Sequence, residues 1–330
     1  MLFVLPEPEQ PEKLRSFDFV KQCMLNSTSF DDGRTGKKDM SGPRCLTVRH
    51  KSVYRYSEPV SFGEHRMMFR PRSSHDLRLV SSELRIVPTP SRLHWMHDVF
   101  DNSVAVATFA EEASQLVFDS SVTLEHYEAP APEYAIEPYA ATWPFAYTND
   151  EATELVNARS RRHPDADVDK WAQSFIAQGR DTSTMALLRD MTAEIKEQFL
   201  YARRTEKGVY RPADTLSFRS GSCRDFAVLM IDAVRSLGLA ARFVSGYVFV
   251  PDHDATSGGG STHAWLQIFL PGAGWVDFDP TNSIIGNQHL IRVAVAWDQH
   301  QALPLWGTWT GAPASFRGLD VDVSVTEDGC

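Results

Sequence analysis

Cys223, His263 and Asp279 are the residues of this 330-residue chain whose types and surroundings could carry covalent chemistry. They would supply a nucleophile, a base and a group that orients the base. Cys223 lies in Arg219-Ser-Gly-Ser-Cys-Arg-Asp-Phe-Ala227. Ser222 and Asp225 stand there as S-x-x-D ahead of an apolar run, a carboxylate variant of the capping box that opens a helix. The spacing predicts a helix to Leu237, with Gly238 where a left-handed residue ends it. Phe226, Ala227, Leu229, Met230, Ala233, Val234 and Leu237 make it a core helix, and Val228 and Ile231 widen its stripe. Cys223 then falls in the first turn, where unpaired N–H groups and the helix dipole favour an anion, hence a thiolate. The competing reading is a small buried hydrophobe.

The base must be brought from further along the chain. Leu239 to Val250 is a continuous β-prone run, followed by a polar loop from Pro251 to Thr262. His263 to Leu270 reads as a strand, Pro271 to Gly274 as a turn and Trp275 to Asp279 as the partner strand, ended by Pro280. Such a hairpin brings His263 near Asp279. Direct pairing of Leu270 with Trp275 would put the two on opposite faces, so a shared face requires an odd-length loop or a bulge. Asp277 has the parity of Asp279 and is the rival orienter.

Around these pieces the pattern changes with position. Residues 1–45 are polar and irregular and read as a flexible extension. From Leu46 the period is two, with strand-like runs at Arg66 to Arg70, Leu77 to Val87, Arg92 to His97, Ser103 to Phe109 and Leu116 to Tyr127, and a turn at Asp101-Asn102. Residues 46–128 are therefore expected to form an antiparallel, sandwich-like β domain. Residues 129–149, with Pro130, Pro132, Pro138 and Pro144, read as a linker arm too apolar to float free. Helical patterns take over at Asp150 to Arg161, Val168 to Gln178 and Thr182 to Arg203, opening a catalytic domain expected over 150–326, with a tail at 327–330. Leu319 to Val325 alternates as an edge strand with its charges facing water.

Composition excludes several classes. Hydrophobic residues are 42% and charged residues 23%, ordinary for a globular chain. The net charge of -10 comes without a basic run, so nucleic acid is not an expected partner. The absence of a long apolar stretch argues against a membrane span, and the Met1 start lacks a signal-peptide pattern, which makes the cytoplasm the expected location. Cys23, Cys45, Cys223 and Cys330 are too few and too scattered for a disulfide framework, and Cys330 could be a free thiol. No C-x-x-C pair is present, and Asp252, His253 and Asp254 read better as a solvated loop or mobile lid than as metal ligands, so no metal and no cofactor are expected. Trp265 and Trp275 are expected in the core, with a substrate groove as the alternative, and His94 and His97 as structural residues.

Taken together, a cysteine at a helix start, a histidine opening a strand and an aspartate closing the next resemble the bacterial transglutaminase-like proteins of the papain-like cysteine acyl-transfer superfamily. The resemblance runs from about Leu46 to Val325. Gly221 to Ala227, Gly238 to Tyr247, Thr262-His-Ala-Trp265, Pro271 to Trp275 and Asp279-Pro-Thr-Asn282 carry it in the second half, and Ser91 to Val106 in the first. It implies an α+β fold, an N-terminal β domain followed by helices packed on an antiparallel sheet. It also implies Cys223 as nucleophile, His263 as base and Asp279 as orienter of an enzyme acting on a peptide or protein substrate. Hydrolysis by a peptidase or amidase is the first expectation. Transglutaminase crosslinking and a non-catalytic binding module are the alternatives, and the sequence leaves oligomeric state open. The family's animal members use a tryptophan upstream of the cysteine as a second oxyanion donor; none lies between Trp171 and Cys223.

Overall fold

The computed structural model describes residues 42–127, 135–179, 181–202, 208–249 and 260–327. Counting strands of six residues or more, the first half supplies β1 (Arg44–Met67), β2 (Leu77–Val87), β3 (Arg92–His97), β4 (Ser103–Thr108) and β5 (Ala113–His126). All pair antiparallel, in the order β2-β5-β1-β4-β3. The run expected at Arg66 to Arg70 is no separate strand. Its Arg66 and Met67 end β1, whose register shifts between Arg55 and Val60 let one strand pair with β5 early and β4 late, so the sheet curls. Its concave side is filled by Tyr56, Phe62, Met67, Phe69, Leu116 and Phe118. Of the expected extension, residues 1–41 lie outside the described residues, whereas Arg44 and Cys45 already belong to β1. Cys45 is disulfide-bonded, so the scattered cysteines include a bridge that their spacing did not suggest. Cys330 lies outside the described residues.

Helices follow: α1 (Asn149–Glu154), α2 (Val156–Arg159), α3 (Ala166–Gln173), α4 (Thr184–Gln198), α5 (Pro212–Phe218) and α6 (Cys223–Ser236). The helix expected over 150–161 is broken at Leu155, and the third expected helix ends at Gln198, where Phe199 turns extended. The arm ahead of them is anchored where it is described. Trp143 Nε1 donates to Leu237 O at 2.9 Å, and the Tyr147 hydroxyl bridges Phe269 O and the Ala240 N–H.

The second sheet contains β6 (Ala241–Phe249), β7 (Gly260–Leu270), β8 (Gly274–Asp279) and β9 (Leu290–Ala296), with Ile284–Ile285 pairing on β8. β7 lies between β6 and β8, and β9 flanks β6. One core joins this sheet to α6, with Phe226, Leu229, Met230 and Val234 packed among Phe243, Leu266, Ile268 and Phe278.

β10 (Leu305–Thr310) and β11 (Phe316–Glu327), which fall within the expected catalytic domain, return to pair with β1. β11 forms an edge, its Asp320 and Asp322 exposed and its Val323 and Val325 buried. Those valines share a core with Leu46, Val48, Val122 and Leu124 of the first sheet and Tyr247, Phe249 and Ile291 of the second. His50 Nδ1 meets the Tyr247 hydroxyl at 2.9 Å across that joint. The architecture is α+β, a curled antiparallel N-terminal sheet followed by helices on an antiparallel sheet. No helix of the described residues is long and apolar enough to cross a membrane.

Candidate active site

Cys223 is the first residue of α6, behind the N-cap Ser222. The expected S-x-x-D capping box forms. The Asp225 carboxylate accepts the Ser222 N–H at 2.8 Å and the Ser222 hydroxyl at 2.7 Å, and it takes the Tyr210 N–H at 2.6 Å as well. This fully buried carboxylate thus ties the helix start to the chain entering α5. It can lie so close because residue 221 is glycine; a Cβ there would stand 2.8 Å from the Asp225 Cβ. The segment is held from its other side by Leu200–Tyr201, which pairs in parallel with Ser220–Gly221.

His263 and Asp279 come from β7 and β8. Leu270 pairs with Gly274 and Phe269 with Trp275, leaving a three-residue loop, Pro271 to Ala273. The odd loop required for a shared face is therefore present, and Gly272 and Gly274 supply its positive φ angles of 85° and 74°. His263, Trp265, Gln267, Asp277 and Asp279 then share one parity, while Leu266, Ile268, Val276 and Phe278 join the helix core.

His263 Nε2 lies 2.7 Å from Asp279 Oδ2. Nδ1 is the ring nitrogen left over for the Cys223 side chain, which also favours the protonated ring. Burial by itself lowers the His263 pKa, but attraction to Asp279, their hydrogen bond and the Cys223 side chain outweigh it and push it well above its usual value. Burial likewise raises Asp279, yet the charge and hydrogen bond of His263 hold it below the usual carboxylate range, with help from Asn282 and the Thr281 N–H. Cys223, His263 and Asp279 are 8%, 6% and 0% exposed, so the ion pair is shielded from solvent. The structure brings together the three residues named from the sequence.

The rival orienter Asp277 is on the same face but serves another group, accepting Trp265 Nε1–H at 2.6 Å. Trp265, fully buried as expected, stacks on the His263 ring at 5.9 Å and 25°. Trp275 packs against Phe269 and lies under the Arg242 guanidinium. Asn282 ends the Asp279-Pro-Thr-Asn282 motif, and the sequence alone implies no role for it. Its Nδ2 donates to Asp279 Oδ2 at 2.7 Å and sits 3.3 Å from His263 Nε2. The signal was the Asp-Pro-Thr-Asn spacing, since a strand stopped by proline turns back within three residues. Asp252, His253 and Asp254, and with them the lid reading, lie outside the described residues. Among the described residues no group of three or more His, Cys, Asp or Glu could hold a metal ion.

Comparison with known proteins agrees with the fold. Residues 46–125 match the bacterial transglutaminase-like N-terminal region and residues 169–280 the transglutaminase-like superfamily core. An uncharacterized protein of Mycobacterium tuberculosis is 29% identical over 297 residues, 86% of this chain and 94% of that protein. Another, of Mycobacterium leprae, is 39% identical over 116 residues, 34% of this chain and 40% of that protein. A crystal structure described as a candidate cysteine protease from Cytophaga hutchinsonii shares the fold, with a TM-score of 0.66 at 17% identity over 88% of this chain and 93% of that one.

Proposed function

The chain belongs to the transglutaminase-like superfamily, with the bacterial N-terminal region ahead of the core, and from that premise we propose that it is a cysteine peptidase or amidase. The observation that supports this most is His263 held between the Asp279 carboxylate and the Cys223 side chain at a helix start. In the proposed reaction the Cys223 thiolate attacks a carboxamide carbon of a peptide or protein substrate. The Cys223 N–H, unpaired in the first helical turn, faces the developing oxyanion. The His263 imidazolium gives its proton to the departing amine nitrogen, the C–N bond breaks and a thioester remains. Neutral His263 then takes a proton from water as the water oxygen attacks the thioester. Collapse of that adduct releases the acid and the thiolate, and His263 is an imidazolium again. Asp279 keeps the ring in one tautomer and orientation. No step requires a cofactor. Hydrolysis is preferred to amine transfer because no tryptophan between Trp171 and Cys223 offers the second oxyanion donor of the crosslinking enzymes.

The low exposure of Cys223 favours a second reading, a non-catalytic module that keeps the triad closed. Iodoacetamide alkylation followed by mass spectrometry across pH separates the two. An enzyme modifies rapidly at Cys223 well below pH 8 and more slowly in His263→Ala, and wild type accumulates a thioester with an amide substrate that Cys223→Ala does not. A Cys223 that no reagent reaches at any pH would leave the binding module as the better reading.

A further inference from the structure

Away from the triad, the loop after β1 meets the second sheet around a cavity of about 330 Å³. Arg72, Ser73, Ser74, Asp101, Asn102, Arg242 and Arg292 line it. Three guanidiniums around one space are an unusual investment for a chain of net charge -10.

Arg242 is the informative one. Its Nε donates to Gln267 Oε1 at 2.8 Å, and the Trp275 ring lies 4.2 Å from its guanidinium carbon. These contacts occupy Nε and one planar face. They leave the two Nη groups, and among the described residues no carboxylate lies within ion-pair distance of them. Burial, with repulsion from Arg292, pulls its pKa down to about 9, and the attraction of Asp277 offsets only part of that.

Its neighbours are already committed. Arg292 Nη2 is 3.3 Å from Asp76 and 3.4 Å from Ser74 Oγ, and its Nη1 is 3.9 Å from Asp277. Arg72 pairs with Asp101 and also donates to the Asp101 carbonyl at 2.9 Å. Asn102 clamps both the N–H and the C=O of Val295, which fixes the wall. The arginines are thus preorganised by the protein, whereas the Nη donors of Arg242 await an acceptor.

We propose that this cavity binds a small oxyanion, the phosphate or carboxylate group of a ligand, through Arg242 with Arg72, Arg292 and the Ser73 hydroxyl. The fork of an arginine matches two oxygens of either group. The volume equals that of about ten waters at roughly 30 Å³ each, enough for an anionic headgroup. Arg242 pairs with Gln267, four residues along β7 from His263, which at about 3.3 Å per residue is roughly 13 Å from the catalytic ring. The site is therefore distinct from the one where acyl transfer is proposed, and its test does not depend on activity.

The experiment is a titration of the full chain with inorganic phosphate and, separately, with malonate, each against sodium chloride of equal ionic strength. Melting temperature and calorimetric heat are the readouts. A saturable rise with either anion is expected, with phosphate alone indicating a phosphate-bearing ligand and malonate alone a carboxylate-bearing one. Arg242→Met should abolish it, and Arg72→Ala, a change at an exposed position, should weaken it several-fold. If Arg242→Met does not fold, Arg72→Ala decides. No saturable response beyond that of chloride, or a response unchanged in the folded variants, overturns the proposal.

Discussion

Asp277 and Asp279 stand two residues apart on one face of β8, both buried, and their carboxyl groups are driven in opposite directions. Burial pushes Asp277 up to about 6, and Arg292 at 3.9 Å, whose charge is shared with Asp76, offsets only part of that. Burial acts on Asp279 as well, but an imidazolium at hydrogen-bond distance reverses it. Position on the strand adds to the difference. Asp279 ends β8, so the free Thr281 N–H of the following turn can reach it at 2.9 Å. Asp277 is in mid-strand, where neighbouring N–H groups are committed to the ladder, and it relies on side-chain donors. Burial alone does not set the charge of a carboxyl; a cation in direct contact does.

Asparagine at each position is the sharpest way to break this comparison. Asp279→Asn removes the charge that holds His263 as the imidazolium and fixes its tautomer, so kcat for amide hydrolysis should fall by about 10³–10⁴-fold. Asp277→Asn, measured beside it, should stay within a few-fold. The two variants should also differ in stability across pH. Asp279, held down, stabilises the fold above the usual carboxylate pKa and loses that as pH falls through its native value. His263, pushed up, contributes fully below about 6.5 and loses its contribution as pH rises toward about 10. The destabilisation seen in Asp279→Asn by denaturant melts should therefore be greatest between about pH 4 and 6.5 and shrink on either side.

Asp277 carries the opposite sign. A carboxyl whose native pKa is raised binds its proton more tightly when folded, so stability falls as pH rises from 3.8 to about 6. A rise of about two pKa units corresponds to about 3 kcal/mol. Asp277→Asn keeps an acceptor for Trp265 Nε1 and should raise the unfolding free energy at pH 7.5 by up to that amount, with no gain below about pH 4. A variant less stable at pH 7.5 would mean that the Arg292 pair outweighs burial.

Asn282→Ala is expected to have the smallest effect. It deletes one charge-assisted hydrogen bond to Asp279 Oδ2 and leaves those from His263 and Thr281. A loss of about 1 kcal/mol in transition-state stabilisation, five- to tenfold in kcat with KM unchanged, fits a positioning residue. Its plot of kcat against pH should shift, and Asn282→Gln should not restore it, because the longer amide misses Asp279.

Legibility in the sequence followed the range of the interaction. The capping box of α6, its Gly238 end and its apolar stripe are patterns within a few turns, and each appears in the structure. So does the β2 strand, Leu77 to Val87, bounded as its alternation suggested. The 24-residue β1 was read in pieces because its bends fall where register shifts between partner strands, and those partners lie far away in the chain. The role of Asn282 is illegible for a similar reason, since it depends on two side chains held by the hairpin.

By itself the sequence determined the order and types of the three candidate catalytic residues and the local elements that carry them, because helix and strand periods are written in residues that touch one another within a few positions. The tertiary structure decided the register of the hairpin, which sets Asp277 opposite Gln267 and leaves Asp279, one step nearer along the same face, to meet His263. It also decided that residues 305–327 return to β1 and that Arg72, Arg242 and Arg292 surround one cavity. These contacts join segments that lie far apart in the chain. Their stability comes from whole-sheet pairing and a shared core, and no short stretch of the chain encodes either.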